Sequence, residues 1–154
     1  MQNEIVAAAQ IAFEARLGRS SAVSENTKDA NKIAKAWRTA VHLLGPDRFQ
    51  IEALVAPELD QRIDIVDLEE RCAYEFKVSG KNAPSEFYKD IVKMLIWNSR
   101  REKKIAKFVF ITDAADASRT LESPMPRAYT KLLADQGLEV VVAYVRRQTT
   151  DGAP

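Results

Sequence analysis

The feature that most limits the fold of this chain is a pair of short, almost uninterrupted apolar segments in its C-terminal half, KFVFIT (107–112) and LEVVVAYV (138–145). Such segments, rich in β-branched and aromatic residues, are typical of strands inside a mixed or parallel sheet, where both faces are covered. Each follows a segment whose apolar residues recur at helical spacing, over residues 84–101 and 123–136. The sequence therefore predicts an α/β fold in which helices flank a sheet.

The N-terminal half adds two helices and three strands to this prediction. Apolar residues recur at helical spacing over residues 3–17 and 28–44. Residues 49–55, 62–68 and 72–79 are short segments rich in Ile, Val, Phe and Tyr, separated by polar or Pro-containing breaks. The predicted order is α-α-β-β-β-α-β-α-β, with a mixed central sheet flanked by helices. We expect a single domain over residues 1–148 and a frayed tail over residues 149–154.

Composition excludes several kinds of site. With one cysteine, Cys72, and one histidine, His42, the chain can form neither an internal disulfide nor a Cys/His zinc site. Any metal ion must therefore be held by oxygen ligands. No apolar run is long enough to cross a bilayer and the N-terminus lacks a secretory pattern, so we expect a cytoplasmic protein with no membrane partner. The formal net charge of +1 does not by itself indicate a nucleic-acid partner.

Residues 62–78, RIDIVDLEERCAYEFKV, bring acidic and basic side chains together if they fold as an antiparallel hairpin with its turn at the two consecutive glutamates. In that register Asp64 lies directly opposite Glu75, and residues directly opposite each other share a face. Strand alternation adds Lys77 to the same face. The hairpin therefore predicts that two carboxylates and an ammonium group converge.

The opposed Asp64 and Glu75 indicate a metal site, because like charges directly opposite each other on a hairpin are destabilising. A divalent cation removes that conflict. Mg²⁺ prefers oxygen ligands and usually takes only one or two carboxylates, which leaves positions for water and substrate phosphate oxygens. We expect Mg²⁺ here, with Mn²⁺ as a substitute. Lys77 would position or activate the water, or stabilise charge in the transition state.

Asp64, ten intervening residues and then Glu75-Phe76-Lys77 resemble the D-(x)n-E-x-K motif of the PD-(D/E)XK, or restriction-endonuclease-like, nuclease superfamily. The predicted element order also resembles these enzymes, which carry the acid and the E-x-K on adjacent central strands. The resemblance implies that Asp64 and Glu75 are metal ligands, that the backbone carbonyl of Phe76 is a further ligand, and that Lys77 is the catalytic lysine. Ile63 stands in place of the motif's proline, and the next helix lacks a Gln-x-x-x-Tyr element, so the subgroup stays open.

The same resemblance implies a nucleic-acid partner, and we expect an endonuclease acting on DNA in restriction, repair or phage defence. Cutting both strands of a duplex with one site per chain would require a two-fold dimer or a partner protein. Candidate nucleic-acid contacts are Lys28, Lys32 and Lys35 on the predicted second helix, and Ser79, Lys81 and Asn82 after the E-x-K strand. A solvated helix face explains the three lysines of the helix at least as well, and ordinary turn chemistry is the preferred explanation for Ser79, Lys81 and Asn82.

Several alternatives stay open at the level of sequence. Glu4 or Glu14 from the first helix, or Glu52 from the first strand, could add an acid to the site. Asp67 is the rival of Asp64 if a bulge reverses the strand alternation. The leading alternative function is a non-catalytic nuclease-like module that binds nucleic acid or protein. A small-molecule α/β enzyme is disfavoured by the lack of a Gly-rich phosphate-binding loop.

Overall fold

Helices and strands follow one another in the predicted order, with one short helix added. The structure is a computed structural model that describes residues 1–17, 27–78, 82–113 and 115–146. Its elements are α1 (Gln2–Leu17), α2 (Thr27–Leu44), β1 (Phe49–Ala56), β2 (Leu59–Asp67), β3 (Cys72–Lys77), α3 (Ala83–Arg100), β4 (Lys107–Asp113), α4 (Ala115–Leu121), α5 (Pro124–Asp135) and β5 (Glu139–Val145).

The strands of the described residues form one mixed sheet in the order β1-β2-β3-β4-β5. The first three strands are antiparallel neighbours, whereas β3, β4 and β5 are parallel to one another. Parallel neighbours need a crossover connection, which α3 supplies between β3 and β4, and α4 with α5 between β4 and β5. The prediction of an α/β fold with a mixed sheet flanked by helices is thus confirmed.

The two faces of the sheet are covered by different helices. Along β4, Phe108 and Phe110 pack with residues of α3, α4 and α5, while Val109 and Ile111 pack with residues of α1 and α2. All four side chains are fully buried, which confirms the prediction that this strand is covered on both faces. Burying a side chain of this size contributes roughly 1.5–3 kcal/mol, so the apolar run explains why β4 lies at the centre of both cores.

The strand β5 lies at an edge of the sheet, so the expectation of an interior strand is wrong. Within the described residues it pairs with β4 alone. Its apolar side chains are nevertheless covered on both faces: Val140 and Val142 pack on the α3 side, and Val141 and Ala143 on the α1 and α2 side. A continuous apolar run therefore indicates that helices cover both faces of a strand. It does not indicate that the strand is paired with another strand on both sides.

Two further differences concern short or polar segments. The helix α4, ADASRTL, is not predicted, because a helix of seven residues is too short to show apolar periodicity. The strand β2 begins at Leu59, three residues before the predicted start. The sequence pattern misses this part of the strand because residues 60–62 are polar and exposed. None of the helices in the described ranges combines the length and the apolarity that a membrane span requires.

Candidate active site

The hairpin of β2 and β3 has the predicted register from its turn as far as Ile65 and Tyr74, whereas Asp64 and Glu75 lie beyond the paired residues. Ile65 pairs with Tyr74 and Asp67 pairs with Cys72, as expected for a turn at the two glutamates. The side chain of Asp67 holds this turn together, because its Oδ1 accepts hydrogen bonds from the backbone N–H groups of Glu69 at 3.0 Å and Glu70 at 3.1 Å.

The guanidinium of Arg48 donates the remaining hydrogen bonds to the Asp67 carboxylate. Its Nε donates to both oxygens at 3.0 and 3.1 Å, and its Nη2 donates to Oδ2 at 2.7 Å. Asp67 is fully buried at this turn. The structure therefore gives this rival acid a structural role, away from the end of the hairpin that carries Glu75 and Lys77.

Asp64 lies at a point where β2 changes the face on which its side chains pack. Ile63 belongs to the core under α3, whereas Ile65 packs with α1 and α2, although residues two apart on a regular strand share a face. Glu52, across from Asp64 in the register of β1 and β2, has a left-handed φ of 49°. Asp64 therefore departs from the regular alternation on which the prediction of a face shared with Glu75 rests: it bonds to Arg38 of α2, whereas Glu75 bonds to Lys93 of α3.

Both oxygens of the Asp64 carboxylate accept hydrogen bonds. Oδ1 accepts from Nη1 of Arg38 on α2 at 2.8 Å, and Oδ2 accepts from the backbone N–H of Phe76 at 3.1 Å. The Nη2 atom of Arg38 also lies 3.6 Å from Oε1 of Glu52. The Asp64 side chain is 17% exposed and that of Arg38 is 18% exposed, so the pair lies at the surface of the cluster rather than inside it.

Glu75 points to the α3 side of the sheet and is only 1% exposed. Its Oε1 lies 2.9 Å from Nζ of Lys93, and its Oε2 lies 3.5 Å from Nζ of Lys77. Lys93 in turn lies 2.8 Å from Oδ1 of Asp90, which is fully buried. The sheet and α3 therefore share a buried group of alternating charges.

Three carboxylates surround the ammonium group of Lys77. Its Nζ lies 3.5 Å from both Glu75 and Glu86, and 3.7 Å from Asp90. Glu86 and Asp90 are four residues apart on α3, so they present neighbouring side chains to the end of β3. Lys77 thus joins the sheet to the first turns of α3.

Charge in this cluster is unbalanced. Among the described residues, five carboxylates (Glu52, Asp64, Glu75, Glu86 and Asp90) contact three cationic side chains (Arg38, Lys77 and Lys93). Because Glu75 and Asp90 are buried, protonation or a bound cation would stabilise this part of the cluster.

The pKa values reflect this excess. Burial, followed by repulsion from Asp64 and Asp90, raises the pKa of Glu75 to about 8, against the opposing effect of the two lysines. Burial also raises the pKa of Asp90. For Lys77, burial lowers the pKa, but the attraction of Glu75 and the other carboxylates outweighs it, and the net shift is upward. The carboxylates thus favour the cationic form of the lysine, while burial favours the protonated form of both acids.

A cleft of about 270 Å³ opens beside this cluster, between α2 and the ends of β3 and α3. Asp64 and Lys77 both reach the cleft, while Glu75 lies behind them on the α3 side. The lining residues are Ala30, Asn31, Ala34, Arg38, Asp64, Phe76, Lys77, Val78, Asn82 and Glu86. Glu75 and Lys77 of the predicted motif thus form a contact pair, while Asp64 accepts the backbone N–H of the intervening Phe76 and lines the same cleft as Lys77.

The additional acids have different positions. Glu52 joins the edge of the cluster through Arg38. Glu14 instead accepts a hydrogen bond from Gln10 at 2.7 Å, and Gln10 also bonds to Arg146 just after β5, so Glu14 lies towards the other edge of the sheet. Glu4 is exposed in the first turn of α1. Of the three, the structure brings only Glu52 to the site.

The candidate nucleic-acid contacts are described in part. Lys32 and Lys35 are exposed on α2, and Lys35 lies one turn after Asn31, which lines the cleft. Asn82 occupies the N-cap position of α3 but makes no side-chain capping bond, and it lines the cleft as well. Ser79, Lys81 and the side chain of Lys28 lie outside the described residues.

Four charged residues of the cluster are missing from the sequence prediction: Arg38, Glu86, Asp90 and Lys93. A signal for three of them exists, because Glu86, Asp90 and Lys93 follow a helical i, i+4, i+7 spacing beside the apolar Phe87, Ile91 and Met94. A charged stripe adjoining an apolar stripe can indicate buried ion pairs.

The donor set suits a hard divalent cation in chemistry and charge. Asp64 and Glu75 provide carboxylate oxygens, and Phe76 lies between the E and the K with its backbone carbonyl as a further candidate donor. In the described part of the chain, no three Asp, Glu, Cys or His side chains are grouped so that they alone could hold a metal ion. A metal here would rest on two carboxylates, the carbonyl and water.

Comparison with known proteins gives no match: no family model, no curated protein and no solved structure matches this chain.

Proposed function

We propose that this chain is a Mg²⁺-dependent nuclease of the PD-(D/E)XK, restriction-endonuclease-like kind, which hydrolyses phosphodiester bonds in DNA. One observation carries the proposal. Glu75 and Lys77 of the E-x-K sequence are in contact, with Asp64 close by, in a partly buried cluster whose described carboxylates outnumber its described cations and which adjoins a cleft. Strongly perturbed carboxylates beside a cleft are typical of catalytic sites.

Asp64, Glu75 and the backbone carbonyl of Phe76 would hold the metal ion. When bound, Mg²⁺ would polarise the phosphoryl group and lower the pKa of a bound water. Its positive charge would be attracted by the described carboxylates of the cluster, and its binding would compete with the protonation of Glu75 that burial favours.

Lys77 has a separate role, as a fixed cation. The carboxylates of Glu75, Glu86 and Asp90 raise its pKa, so it stays protonated and serves as a hydrogen-bond donor rather than as a base. A donor aimed at the cleft can stabilise negative charge that builds up on the phosphate in the transition state. Glu86 and Asp90 keep its ammonium group at the end of β3.

Nucleic acid would enter the cleft between α2 and the ends of β3 and α3. Lys32 and Lys35 are exposed on α2 and Asn82 is exposed at the start of α3, so these side chains are free to contact backbone phosphates. A two-fold dimer or a partner protein would supply the second site needed to cut both strands of a duplex.

Cleavage of supercoiled plasmid tests this function. The purified protein should nick or linearise plasmid with Mg²⁺ or Mn²⁺ and stop when EDTA is added. Glu75→Gln and Lys77→Met should each reduce the rate by about 10²- to 10³-fold, the usual effect of removing one transition-state contact. Glu102→Gln and Lys131→Met, at exposed positions outside the cluster, are the matched controls. Undiminished cleavage by folded Glu75→Gln would refute the proposal.

One feature favours a second function, a non-catalytic module that binds nucleic acid. Arg38 and Lys93 already lie 2.8 and 2.9 Å from an oxygen of Asp64 and Glu75, so each carboxylate has a cationic partner without any metal. A module of this kind would bind DNA equally well with Mg²⁺ or EDTA and would cut it in neither. The plasmid assay and a DNA-binding assay with the same protein separate the two functions.

A further inference from the structure

We propose that Arg38 binds the substrate phosphate, and that in the free protein it is held on Asp64 until a divalent cation takes its place. This inference rests on the proposed function and adds to it a substrate-binding residue on α2. Arg38 lines the cleft together with Ala30 and Ala34, at one-turn spacings along the helix. Its guanidinium therefore lies at the cleft wall, beside the carboxylate that would hold the metal.

The chemistry of the guanidinium suits this role. Its planar set of donors matches the oxygens of a phosphate or a carboxylate, and it stays charged at any physiological pH. In the free protein its partners are Asp64 at 2.8 Å and Glu52 at 3.6 Å. A phosphate oxygen offers the same kind of acceptor as these carboxylates, so the exchange would replace one charged hydrogen bond with another.

A metal ion at Asp64 would weaken the contact between Arg38 and Asp64. A divalent cation and a guanidinium that share one carboxylate repel each other even in bulk water, and more strongly than two unit charges would. The Asp64 carboxylate would not lose its position, because Oδ2 also accepts the backbone N–H of Phe76 at 3.1 Å. Arg38 is therefore not needed to orient Asp64 once the metal is bound.

The other partner of Arg38 would not hold it back. Glu52 is 57% exposed and lies 3.6 Å away, so this contact is weak and screened by solvent. Arg38 itself is 18% exposed, so its head group can turn into the cleft without leaving its helix. The nearby Lys77 remains tied to three carboxylates, which leaves Arg38 as the cation best able to change partner among the described residues of the cluster.

The test compares Arg38→Met and Arg38→Lys with the wild-type protein in two separate measurements. The first is Mn²⁺ binding by calorimetry without DNA, and the second is kcat and KM for DNA cleavage at saturating Mg²⁺. Arg38→Met should bind Mn²⁺ at least about fivefold more tightly, because a competing cation is gone. Its KM for DNA should rise about tenfold or more, because a charged hydrogen bond to phosphate is lost.

Arg38→Lys keeps the charge but not the planar set of donors, so its Mn²⁺ affinity should stay within about twofold of wild type while its KM rises. The matched control is Arg16→Met, which breaks an exposed Arg16–Asp29 pair of similar length, 3.0 Å, and should change neither quantity. Thermal unfolding of each variant establishes that it is folded.

Opposite outcomes separate the inference from the function on which it rests. If wild type cleaves DNA but Arg38→Met binds Mn²⁺ more weakly and keeps its KM, Arg38 only supports Asp64 and the inference is wrong while the nuclease proposal stands. If the wild-type protein neither binds Mn²⁺ nor cleaves DNA, the nuclease proposal itself fails.

Discussion

Replacing Lys93 with methionine should destabilise the protein by about 3–5 kcal/mol at neutral pH, the usual cost of removing one partner from a buried ion pair. The Lys93 side chain is 10% exposed, and its Nζ lies 2.9 Å from Glu75 and 2.8 Å from Asp90. Methionine has a similar volume, so the packing stays and the charge is lost. Lys77, at 3.5 and 3.7 Å from the same acids, compensates in part and favours the lower end of the range.

The assay is urea unfolding followed by circular dichroism at pH 7.5 and pH 5.5, in EDTA. In a parallel thermal unfolding experiment, a loss of about 3 kcal/mol in the free energy of unfolding corresponds to a fall in Tm of about 6–12 °C for a chain of this size. The matched control is Lys89→Met, an exposed lysine one turn earlier on the same helix. The deficit of Lys93→Met should shrink on acidification, because burial raises the pKa of Asp90, which lies 2.8 Å from Lys93, and a proton can then replace the missing ammonium group. Equal stability of the two variants at pH 7.5, or a deficit that grows at pH 5.5, would refute this reasoning.

Two further predictions concern pH and the hairpin turn. The folded protein keeps a proton on Glu75 up to a pKa of about 8, whereas the ordinary value is 4.5, so the contribution of this group to folding stability is complete below about pH 4.5 and declines as the pH rises towards 8. In EDTA, Glu75→Gln should flatten this part of the urea-stability profile. An unchanged slope would contradict the assignment. Asp67→Asn should lower the free energy of unfolding by about 2–3 kcal/mol, because charge-assisted bonds to Arg48 are lost, while Asp60→Asn at an exposed position should change it little. The folded Asp67→Asn protein should cleave plasmid at the wild-type rate. A large loss of cleavage would make Asp67 part of the site.

Much of the fold could be predicted because local patterns decide it. The apolar run of β4 indicates a strand covered on both faces, and the two glutamates between β2 and β3 place the turn, from which the register of the hairpin follows. The position of β5 could not be predicted in this way. Whether a strand pairs with one other strand or with two depends on the other strands of the chain. The residues of the strand itself do not determine it.

The candidate site could be predicted where it depends on the hairpin and not where it depends on helix packing. Glu75 and Lys77 lie two residues apart on one strand, so strand geometry alone brings them into contact. Arg38 reaches Asp64 from 26 residues away, and Lys93 reaches Glu75 from 18 residues away. Those contacts depend on how α2 and α3 rotate against the sheet, which the sequence pattern of either helix leaves undetermined.

The helix α3 contributes both to the hydrophobic core and to the charged cluster of the candidate site. One side of this helix packs through Phe87, Ile91 and Met94 into the core, while an adjacent side carries Asp90 and Lys93 to Glu75. Engineering that refills the core beneath α3 would shift the charged groups around the C-terminal end of β3, even when every charged residue is kept. Substitutions under α5, which carries none of these charges, offer a safer route to a thermostable variant.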